Sequence, residues 1–259
     1  MDLKSFVIEL TADGSPTLRL KNSNTLHPEK MPESMHHSGG AAAETLYIYT
    51  GPFKNTLQAL AELKQNQLSI GVVGLGLGYI ELSVLQNLAT NPAISANLTS
   101  FEKETELTEE FTAWLNGKTN EIYDLICEKL SVEKNRVIEY SKAQTGSQNT
   151  SPRSFDWKIL GELTAKTSIL QPFQFVAYDA FSQFTDGPLW TDEFLDFFLT
   201  QLCAKDCVFA TYACTGNLKR ALQRNGFLFI KRPGFSGKRD ATLALRGEFI
   251  ALRHLFQSV

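Results

Sequence analysis

Three glycines at alternate positions are the most informative chemical feature of this 259-residue sequence. The run Val73-Gly74-Leu75-Gly76-Leu77-Gly78 follows a segment typical of a buried strand and precedes one typical of an amphipathic helix. Glycines at such a junction permit a tight turn and close approach of a ligand, because no side chain intervenes. The GxGxG spacing disfavours the pyrophosphate site of nicotinamide or flavin cofactors. Taken alone, the glycines are also consistent with a purely structural turn.

Acidic residues follow two of the other predicted strands. Glu102 closes the second strand, 24 residues after Gly78, where a carboxylate can accept both hydroxyl hydrogen bonds of a ribose. Glu162 comes just past the third strand, where an acidic side chain could meet an adenine amino group. The alternative for Glu102 is a solvated helix entry. Together with the glycines, Glu102 favours an adenosine-containing ligand without a phosphate clamp, and S-adenosylmethionine fits that description.

A further carboxylate, Asp179, ends the fourth predicted strand. Because parallel strands present their carboxyl ends at one edge of the sheet, we expect Asp179 to face the same crevice as Gly76 and Glu102. In a methyltransferase, a carboxylate there can orient an amine nucleophile and favour loss of its proton. The alternative is a cap for the following turn. We therefore predict Asp179 as the catalytic residue.

An alternation of strand-like and helix-like segments must position these residues. It predicts a mostly parallel, Rossmann-like α/β sheet with helices on both faces. The predicted strands are 69–74, 98–103, 155–160, 173–178, 207–213, 227–231 and 241–245. The predicted helices are 56–64, 79–88, 105–115, 121–130, 191–202 and 215–225.

Segments outside this alternation complete the organisation. Residues 6–10 and 17–20 predict an N-terminal β-hairpin around a turn, 45–49 fit either a short strand or a helix start, and 142–153 are typical of an exposed loop. We expect residues 1–50 to form a hairpin and covering loop and residues 51–259 to form the Rossmann-like domain.

Composition excludes several classes of protein. Lys plus Arg number 25 and Asp plus Glu 28, so the formal charge is −3 and the whole chain lacks the balance of a polybasic nucleic-acid binder. No run approaches the roughly 18 apolar residues of a membrane span, and the first ten residues lack an apolar signal core. A cytoplasmic protein without membrane association is expected. The four cysteines form no CxxC pair and the adjacent His36 and His37 do not face one another, so we expect no disulfide and no metal.

Charge is nevertheless unevenly distributed. Residues 215–253 contain nine Lys or Arg and two acids, a local charge of +7 that leaves −10 for the remainder. Four of the basic residues flank a glycine-rich turn near the carboxyl edge of the predicted sheet, and Phe235 is available there for stacking. These four are Lys231, Arg232, Lys238 and Arg239. The segment predicts a face that binds RNA phosphates. The alternative is a solvent-exposed helix face next to an edge strand whose lysines prevent pairing with other chains.

Nine segments, taken in order along the chain, form a recognisable set: Asp13-Gly14-Ser15-Pro16-Thr17-Leu18, His37-Ser38-Gly39-Gly40, Glu44-Thr45, Gly74 to Gly78, Asp179-Ala180-Phe181-Ser182, Leu189-Trp190-Thr191, Ala210 to Gly216, Leu222 to Phe227 and Arg232 to Arg239. The final arrangement of Gly-Phe and Lys-Arg pairs is more specific than the glycine loop. Together these segments resemble the methyltransferase module of the bifunctional tRNA-modifying family MnmC and its shorter stand-alone relatives.

The resemblance implies a class I S-adenosylmethionine-dependent methyltransferase that converts 5-aminomethyl-2-thiouridine at the tRNA wobble position to its N-methyl form. It implies tRNA as the partner and a loop over the methionine end of the cofactor that uses His37, Ser38 and Glu44. It also implies that Phe181 contacts the substrate together with His37 and the basic residues. The family's flavin-dependent module is not expected here, and neither are FAD or an obligatory protein partner.

The chain departs from the family in two places. The family commonly has Phe-Gly-Thr-Gly-Leu-Asn where this chain has Leu75 to Ile80, and proline where it has Gln183. The first change removes polar contacts from the glycine loop. Two other functions are therefore considered: transfer of a methyl or aminopropyl group to a small free amine, and a catalytically degenerate RNA-binding protein.

Overall fold

A seven-stranded sheet surrounded by helices forms the body of the protein, and a separate two-stranded hairpin packs beside it. The structure is a computed structural model that describes residues 3–22, 32–142, 154–237 and 240–257. The strands are β1 Phe6–Leu10, β2 Pro16–Leu20, β3 Gln67–Val73, β4 Ser95–Phe101, β5 Phe155–Leu160, β6 Phe173–Tyr178, β7 Cys203–Thr211, β8 Leu228–Arg232 and β9 Ala241–Arg246. The helices are α1 Ala41–Thr45, α2 Gly51–Glu62, α3 Tyr79–Thr90, α4 Thr105–Leu115, α5 Glu121–Leu130, α6 Lys134–Lys142, α7 Asp192–Phe197 and α8 Gly216–Arg224.

The strand order places a crevice at the centre of the sheet. The order is β5-β4-β3-β6-β7-β9-β8, with parallel pairing from β5 to β7 and antiparallel pairing of β9 with both neighbours. The chain first runs outward from β3 through β4 to β5, and then returns to place β6 on the other side of β3. Ligands of open α/β sheets bind at such a switch point, outside the carboxyl ends of the strands. The predicted fold class is confirmed.

Alternate residues of the central strands pack into two apolar clusters, one on each face of the sheet. In β6, Phe175 and Ala177 belong to one cluster, whereas Val176 and Tyr178 belong to the other. Side chains alternate between the faces of a strand, so a strand covered on both faces is apolar throughout. This is why the strands that flank the crevice were recognisable as apolar runs.

The turn of the N-terminal hairpin caps helix α1. Ser15 Oγ accepts hydrogen bonds from the backbone amides of Ala41 and Ala42, both at 3.0 Å, and Asp13 Oδ2 accepts one from the amide of Ala43 at 3.2 Å. The first amides of a helix have no partner within the helix, and oxygen acceptors at that end stabilise it. The Asp13 to Pro16 motif thus joins the predicted hairpin, which is confirmed, to the helix that follows.

A π-helical turn, Leu46–Thr50, joins α1 to α2 in one continuous helical segment. The sequence left a strand or a helix open for residues 45–49, and the segment is helical. The predicted boundary between residues 1–50 and residues 51–259 falls inside this helical segment. Such turns insert one extra residue into a helix and are frequent at functional sites.

Three elements differ most from the sequence prediction. Helix α2 begins at Gly51, five residues before the predicted start at residue 56. Helix α6 was missed because it is mostly polar, with Val137 as its buried residue where it packs against α3. Strand β7 begins at Cys203, four residues before the predicted start. Its pairing with β6 shifts register between Phe173 and Phe175, and Cys203 still pairs with Phe173 on the far side of that shift. Of the loop predicted for residues 142–153, Lys142 is instead the last residue of α6, and residues 143–153 lie outside the described residues.

Candidate active site

A cavity of about 540 Å³ lies at the carboxyl ends of β3, β4 and β6. Its walls include the glycine loop from Gly74 to Leu77, the carboxylates of Glu102 and Asp179, and a covering segment, residues 33–37. The volume lies in the range of about 300 to 1,000 Å³ that is typical of small-molecule sites. The switch point of the sheet, the glycines and two of the predicted carboxylates therefore meet at one place.

The glycine loop requires glycine for close packing. Gly74 has φ 88°, and a Cβ there would lie 2.6 Å from the carbonyl oxygen of Asp179. Gly78 has φ 73° and would place a Cβ 2.4 Å from the Phe111 ring. Both positions lie in the left-handed region that favours glycine. Gly74 and Gly76 line the cavity, whereas Gly78 packs beneath the loop, so its role is the turn into α3 rather than a wall of the cavity.

Glu102 ties the glycine loop to the end of β4. Its Oε2 accepts a hydrogen bond from the Gly76 amide at 2.9 Å, and its Oε1 accepts one from the Glu104 amide, also at 2.9 Å. Burial raises the pKa of Glu102, and these two backbone hydrogen bonds, which favour the ionised form, oppose that shift. The carboxylate is thereby fixed at the cavity wall, where each oxygen keeps acceptor capacity for a hydroxyl group.

Asp179 receives a hydrogen bond from a tyrosine that the sequence analysis did not identify. The hydroxyl of Tyr49, in the π-helical turn, donates to Asp179 Oδ1. Burial, together with the charges of Asp179 and Glu44, raises the pKa of Tyr49 well above its usual value, so the phenol remains a donor. Tyr212 also lines the cavity and donates to the carbonyl oxygen of Ala180 at 2.9 Å. The Asp179 side of the cavity is thus built from the end of β6 and from a helical segment more than a hundred residues earlier.

The covering segment crosses the cavity and is held at both of its sides. The Met35 amide donates to the Leu18 carbonyl oxygen at 2.8 Å, which pairs the segment with the hairpin. At the opposite side, the Glu33 carboxylate accepts hydrogen bonds from the Ser182 amide and hydroxyl, both at 2.9 Å, and from the Thr185 hydroxyl at 2.6 Å. Glu33 was missed because its partners lie about 150 residues away, where no local pattern indicates them.

Two of the three residues that the resemblance assigned to this cover lie at the cavity. His37 and Glu44 both line it, and the His37 amide donates to Glu44 Oε2 at 2.6 Å. Ser38 does not line it: its side chain is exposed, and its carbonyl oxygen accepts from the Ala12 amide at 2.8 Å. Its predicted contact with the cofactor is therefore not supported by its position.

The opposite side of the cavity is largely apolar. Phe101, Leu163 and Phe194 line it, and Glu162 stands exposed at its rim. Apolar side chains with one carboxylate nearby suit an adenine ring and its amino group. Phe194 is buried against apolar neighbours and also reaches the cavity. Phe181, predicted to contact the substrate, is half-buried and lines the cavity next to Asp179.

Carboxylates predominate among the charged side chains that line the cavity. Among the described lining residues, Lys103 is the only Lys or Arg, and it forms an ion pair with Asp186. A cleft lined by one sign of charge attracts ligands of the opposite sign, so this cavity favours cations. The acidic lining residues are Glu33, Glu44, Glu102, Glu104, Glu162, Asp179, Asp186 and Glu193.

One of the predicted RNA-contacting residues has an internal role. Arg232 is only 3% exposed, and its guanidinium donates to the carbonyl oxygen of Tyr47 at 2.8 Å and lies 4.6 Å from the centroid of the Tyr47 ring. The prediction that it contacts phosphate is wrong, because the charge supports the π-helical turn. Lys231 is exposed, and Lys238 and Arg239 lie outside the described residues.

The comparisons agree with this geometry. A family model described as S-adenosyl-L-methionine-dependent methyltransferase matches residues 132–247. The match covers just under half of the chain, and it supports S-adenosylmethionine-dependent methyltransferase activity. The chain is also similar to the solved structure of MNMC2 from Aquifex aeolicus, with a TM-score of 0.65 and 23% identity over 98% of this chain and 77% of that one, a likeness that shows the fold.

Two curated relatives match shorter segments. The tRNA 5-methylaminomethyl-2-thiouridine biosynthesis bifunctional protein MnmC of Azoarcus sp. is 36% identical over 76 residues, which are 29% of this chain and 11% of that protein. The protein of the same name from Campylobacter hominis is 34% identical over 62 residues, 24% of this chain and 9% of that protein. The matches thus span about a tenth of the length of these relatives. They confirm the resemblance that the sequence motifs indicate.

The residues of the cavity fit S-adenosylmethionine, the cofactor of this methyltransferase. Its sulfonium and ammonium groups are cationic, which suits the carboxylate lining, and its ribose suits Glu102. The described residues hold no group of three or more His, Cys, Asp or Glu that could bind a metal ion. Within the same residues, no helix has the length and apolar character needed to cross a membrane.

Proposed function

We propose that this methyltransferase transfers a methyl group to the amino nitrogen of 5-aminomethyl-2-thiouridine at the wobble position of tRNA. The observation that carries the proposal is the Asp179 carboxylate, which lies beside the glycine loop in a cavity whose lining favours cations. An aminomethyl group is a cation in its resting form. The partial matches to proteins named for 5-methylaminomethyl-2-thiouridine biosynthesis support the choice of substrate.

Different residues of this chain have different roles in the reaction. When bound, S-adenosylmethionine supplies a methyl group that its sulfonium makes electrophilic. Gly74 and Gly76 leave room for the amino-acid portion, and Glu102 accepts hydrogen bonds from the ribose. Asp179 accepts a hydrogen bond from the aminomethyl cation and takes one of its protons, which frees the nitrogen lone pair and orients it toward the methyl group. As the new N–C bond forms, the S–C bond to that methyl group breaks, and S-adenosylhomocysteine leaves. Alignment of the amine with the methyl group lowers the activation barrier by up to roughly 7 to 11 kcal/mol.

Mass spectrometry of tRNA nucleosides tests the proposal. Cells that lack the protein should accumulate the 5-aminomethyl nucleoside and lose its N-methyl product, and the wild-type gene should restore the product. Asp179→Asn should fail to restore it, while the purified variant binds S-adenosylmethionine with an affinity within a few-fold of wild type in calorimetry. Asp156→Asn, which removes an exposed carboxylate of β5, is the matched control. Unchanged levels of both nucleosides in the deletion strain would refute the substrate.

A second candidate substrate is a small free amine, and the positions of the basic residues favour it. Of the arginines in the basic segment, Arg232 is buried, Arg224 pairs with Asp192 and Asp196, and Arg246 donates to backbone carbonyls such as that of Cys203 at 2.8 Å. These charges have partners within the protein, which reduces the basic surface available to RNA.

Salt dependence separates the two candidates. Binding of tRNA releases counterions, so its affinity should fall by about ten-fold or more between 50 and 200 mM salt if three or more phosphates are contacted. Affinity for a small amine should change far less over the same range. A nearly flat dependence of tRNA binding would favour the small amine.

A further inference from the structure

We infer that Tyr49 is a positioning residue that acts through Asp179: its hydroxyl fixes the carboxylate that holds the substrate amine. The inference rests on the proposed function of Asp179 and goes beyond it, since neither the glycine loop nor the motif around Asp179 indicates a residue of the π-helical turn. The hydrogen bond from the Tyr49 hydroxyl to Asp179 Oδ1 joins two segments 130 residues apart.

The backbone on both sides of Tyr49 is fixed. The guanidinium of Arg232 donates to the carbonyl oxygen of Tyr47 at 2.8 Å and to that of Ile48 at 3.5 Å. On the other side, the Thr50 hydroxyl lies 2.7 Å from the hydroxyl of Ser83 in α3. A π-helical turn has an irregular hydrogen-bond ladder, and these contacts hold it in place. The Tyr49 hydroxyl therefore donates to Asp179 from a stretch of backbone that these contacts hold in place.

The surroundings of Asp179 make this donor important. The charged or titratable side chains that influence one another around it are Tyr49, Tyr212, Glu33, Glu44, Glu81 and Asp186. The carboxylates of Glu33, Glu44 and Asp186 disfavour a further negative charge on Asp179, whereas a hydrogen bond from a neutral phenol favours it. Glu81 adds little charge below about pH 8, because burial raises its pKa to that value. Tyr49 is fully enclosed, and burial raises its pKa well above the usual value, so it remains the donor across the working pH range.

Two consequences follow for catalysis. A phenol bound to one oxygen restricts rotation of the Asp179 carboxylate, so the amine meets it in a single orientation. The same hydrogen bond lowers the pH below which Asp179 becomes protonated and loses its ability to accept a proton from the amine. Tyr49 thereby affects the rate of methyl transfer without touching the cofactor.

Tyr49→Phe tests the inference, with Tyr178→Phe as the matched control. Tyr178 is also a fully buried tyrosine with one hydrogen bond, from its hydroxyl to the Leu189 carbonyl oxygen at 2.6 Å. The first readout is the titration of the Asp179 carboxyl carbon by ¹³C NMR, which needs no substrate. Its midpoint should rise by about one to two pH units in Tyr49→Phe, as expected for loss of a hydrogen bond to a charged group, and stay unchanged in Tyr178→Phe.

The second readout is steady-state methyl transfer to the aminomethyl substrate. Tyr49→Phe should lower kcat by about ten-fold or more and shift the acid limb of the kcat/KM profile upward with the NMR midpoint, while affinity for S-adenosylmethionine changes less than about two-fold. An unchanged Asp179 midpoint, or an equal loss of kcat in Tyr178→Phe, would overturn the inference. An inactive wild type with the NMR shift intact would instead overturn the proposed substrate and leave the coupling of Tyr49 and Asp179 established.

Discussion

A buried carboxyl group beneath the glycine loop makes the stability of this protein depend on pH in a direction that can be worked out. Glu81 lies in α3 and is 0% exposed, and neither of its carboxyl oxygens has a hydrogen-bond partner among the described residues. Burial raises the pKa of Glu81 from 4.5 to about 8, while the nearby Ser100 hydroxyl opposes the shift and the charges of Glu102 and Asp179 add to it. Folding therefore favours the protonated acid.

The difference between the pKa of Glu81 in the folded and in the unfolded chain sets the size of the change in unfolding free energy. Between pH 4.5 and about 8, the folded protein keeps a proton on Glu81 that the unfolded chain has released. The free energy of unfolding must then decrease as pH rises through this window, and it becomes constant with respect to this group above about pH 8. Since a pKa difference of one corresponds to about 1.4 kcal/mol, the rise from 4.5 to about 8 lowers the free energy of unfolding by an amount on the order of 5 kcal/mol across this window.

Urea unfolding of the wild type and of Glu81→Gln, at pH values from 5 to 9, measures this contribution. The amide has nearly the same shape and does not titrate, so its variant should lack the decline and exceed the wild type in stability at pH 9. Glu109→Gln, at an exposed position of α4, controls for removal of a carboxylate from the surface. Equal pH dependence in the wild type and Glu81→Gln would refute the assignment of the proton to this group.

Three further substitutions test other parts of the fold. Gly74→Ala should destabilise the protein by about 2 kcal/mol or more and weaken S-adenosylmethionine binding, because its Cβ would lie 2.6 Å from the Asp179 carbonyl oxygen; an unchanged Tm would contradict this. Ser15→Ala should cost about 1 kcal/mol or more by removing the acceptor for two α1 amides, measured by urea unfolding, and a neutral result would show that the cap is dispensable. Glu33→Gln should loosen the covering segment and raise the dissociation rate of S-adenosylhomocysteine several-fold in stopped-flow fluorescence, with Glu109→Gln as control; an unchanged rate would show that the cover does not limit release.

Local patterns were sufficient for most of the fold. The apolar strands around the crevice and the amphipathic helices follow from side-chain periodicity, since each strand is buried on both faces and each of these helices on one. Gly74, Glu102 and Asp179 were found for a related reason. Each comes directly at or after the end of a strand, and the ends of parallel strands converge wherever the sheet switches direction.

Residues whose roles depend on distant partners were not predictable in this way. Tyr49 and Glu33 act through contacts with Asp179 and Ser182, about 130 to 150 residues away. Arg232 was assigned to the surface because a count of charges cannot show that two backbone carbonyls of the π-helical turn accept from it. Long-range pairing between irregular segments leaves no periodic signal in the chain.

The hairpin cap has a consequence for engineering this methyltransferase. Ser15 and Asp13 supply the acceptors for the first amides of α1, and the same helical segment carries Tyr49 to the Asp179 carboxylate. A chimera that grafted the sheet domain onto a foreign N-terminal segment would therefore lose the acceptors that anchor this helix. The smallest portable unit of this enzyme includes its N-terminal hairpin, although none of the hairpin's own strands belongs to the central sheet.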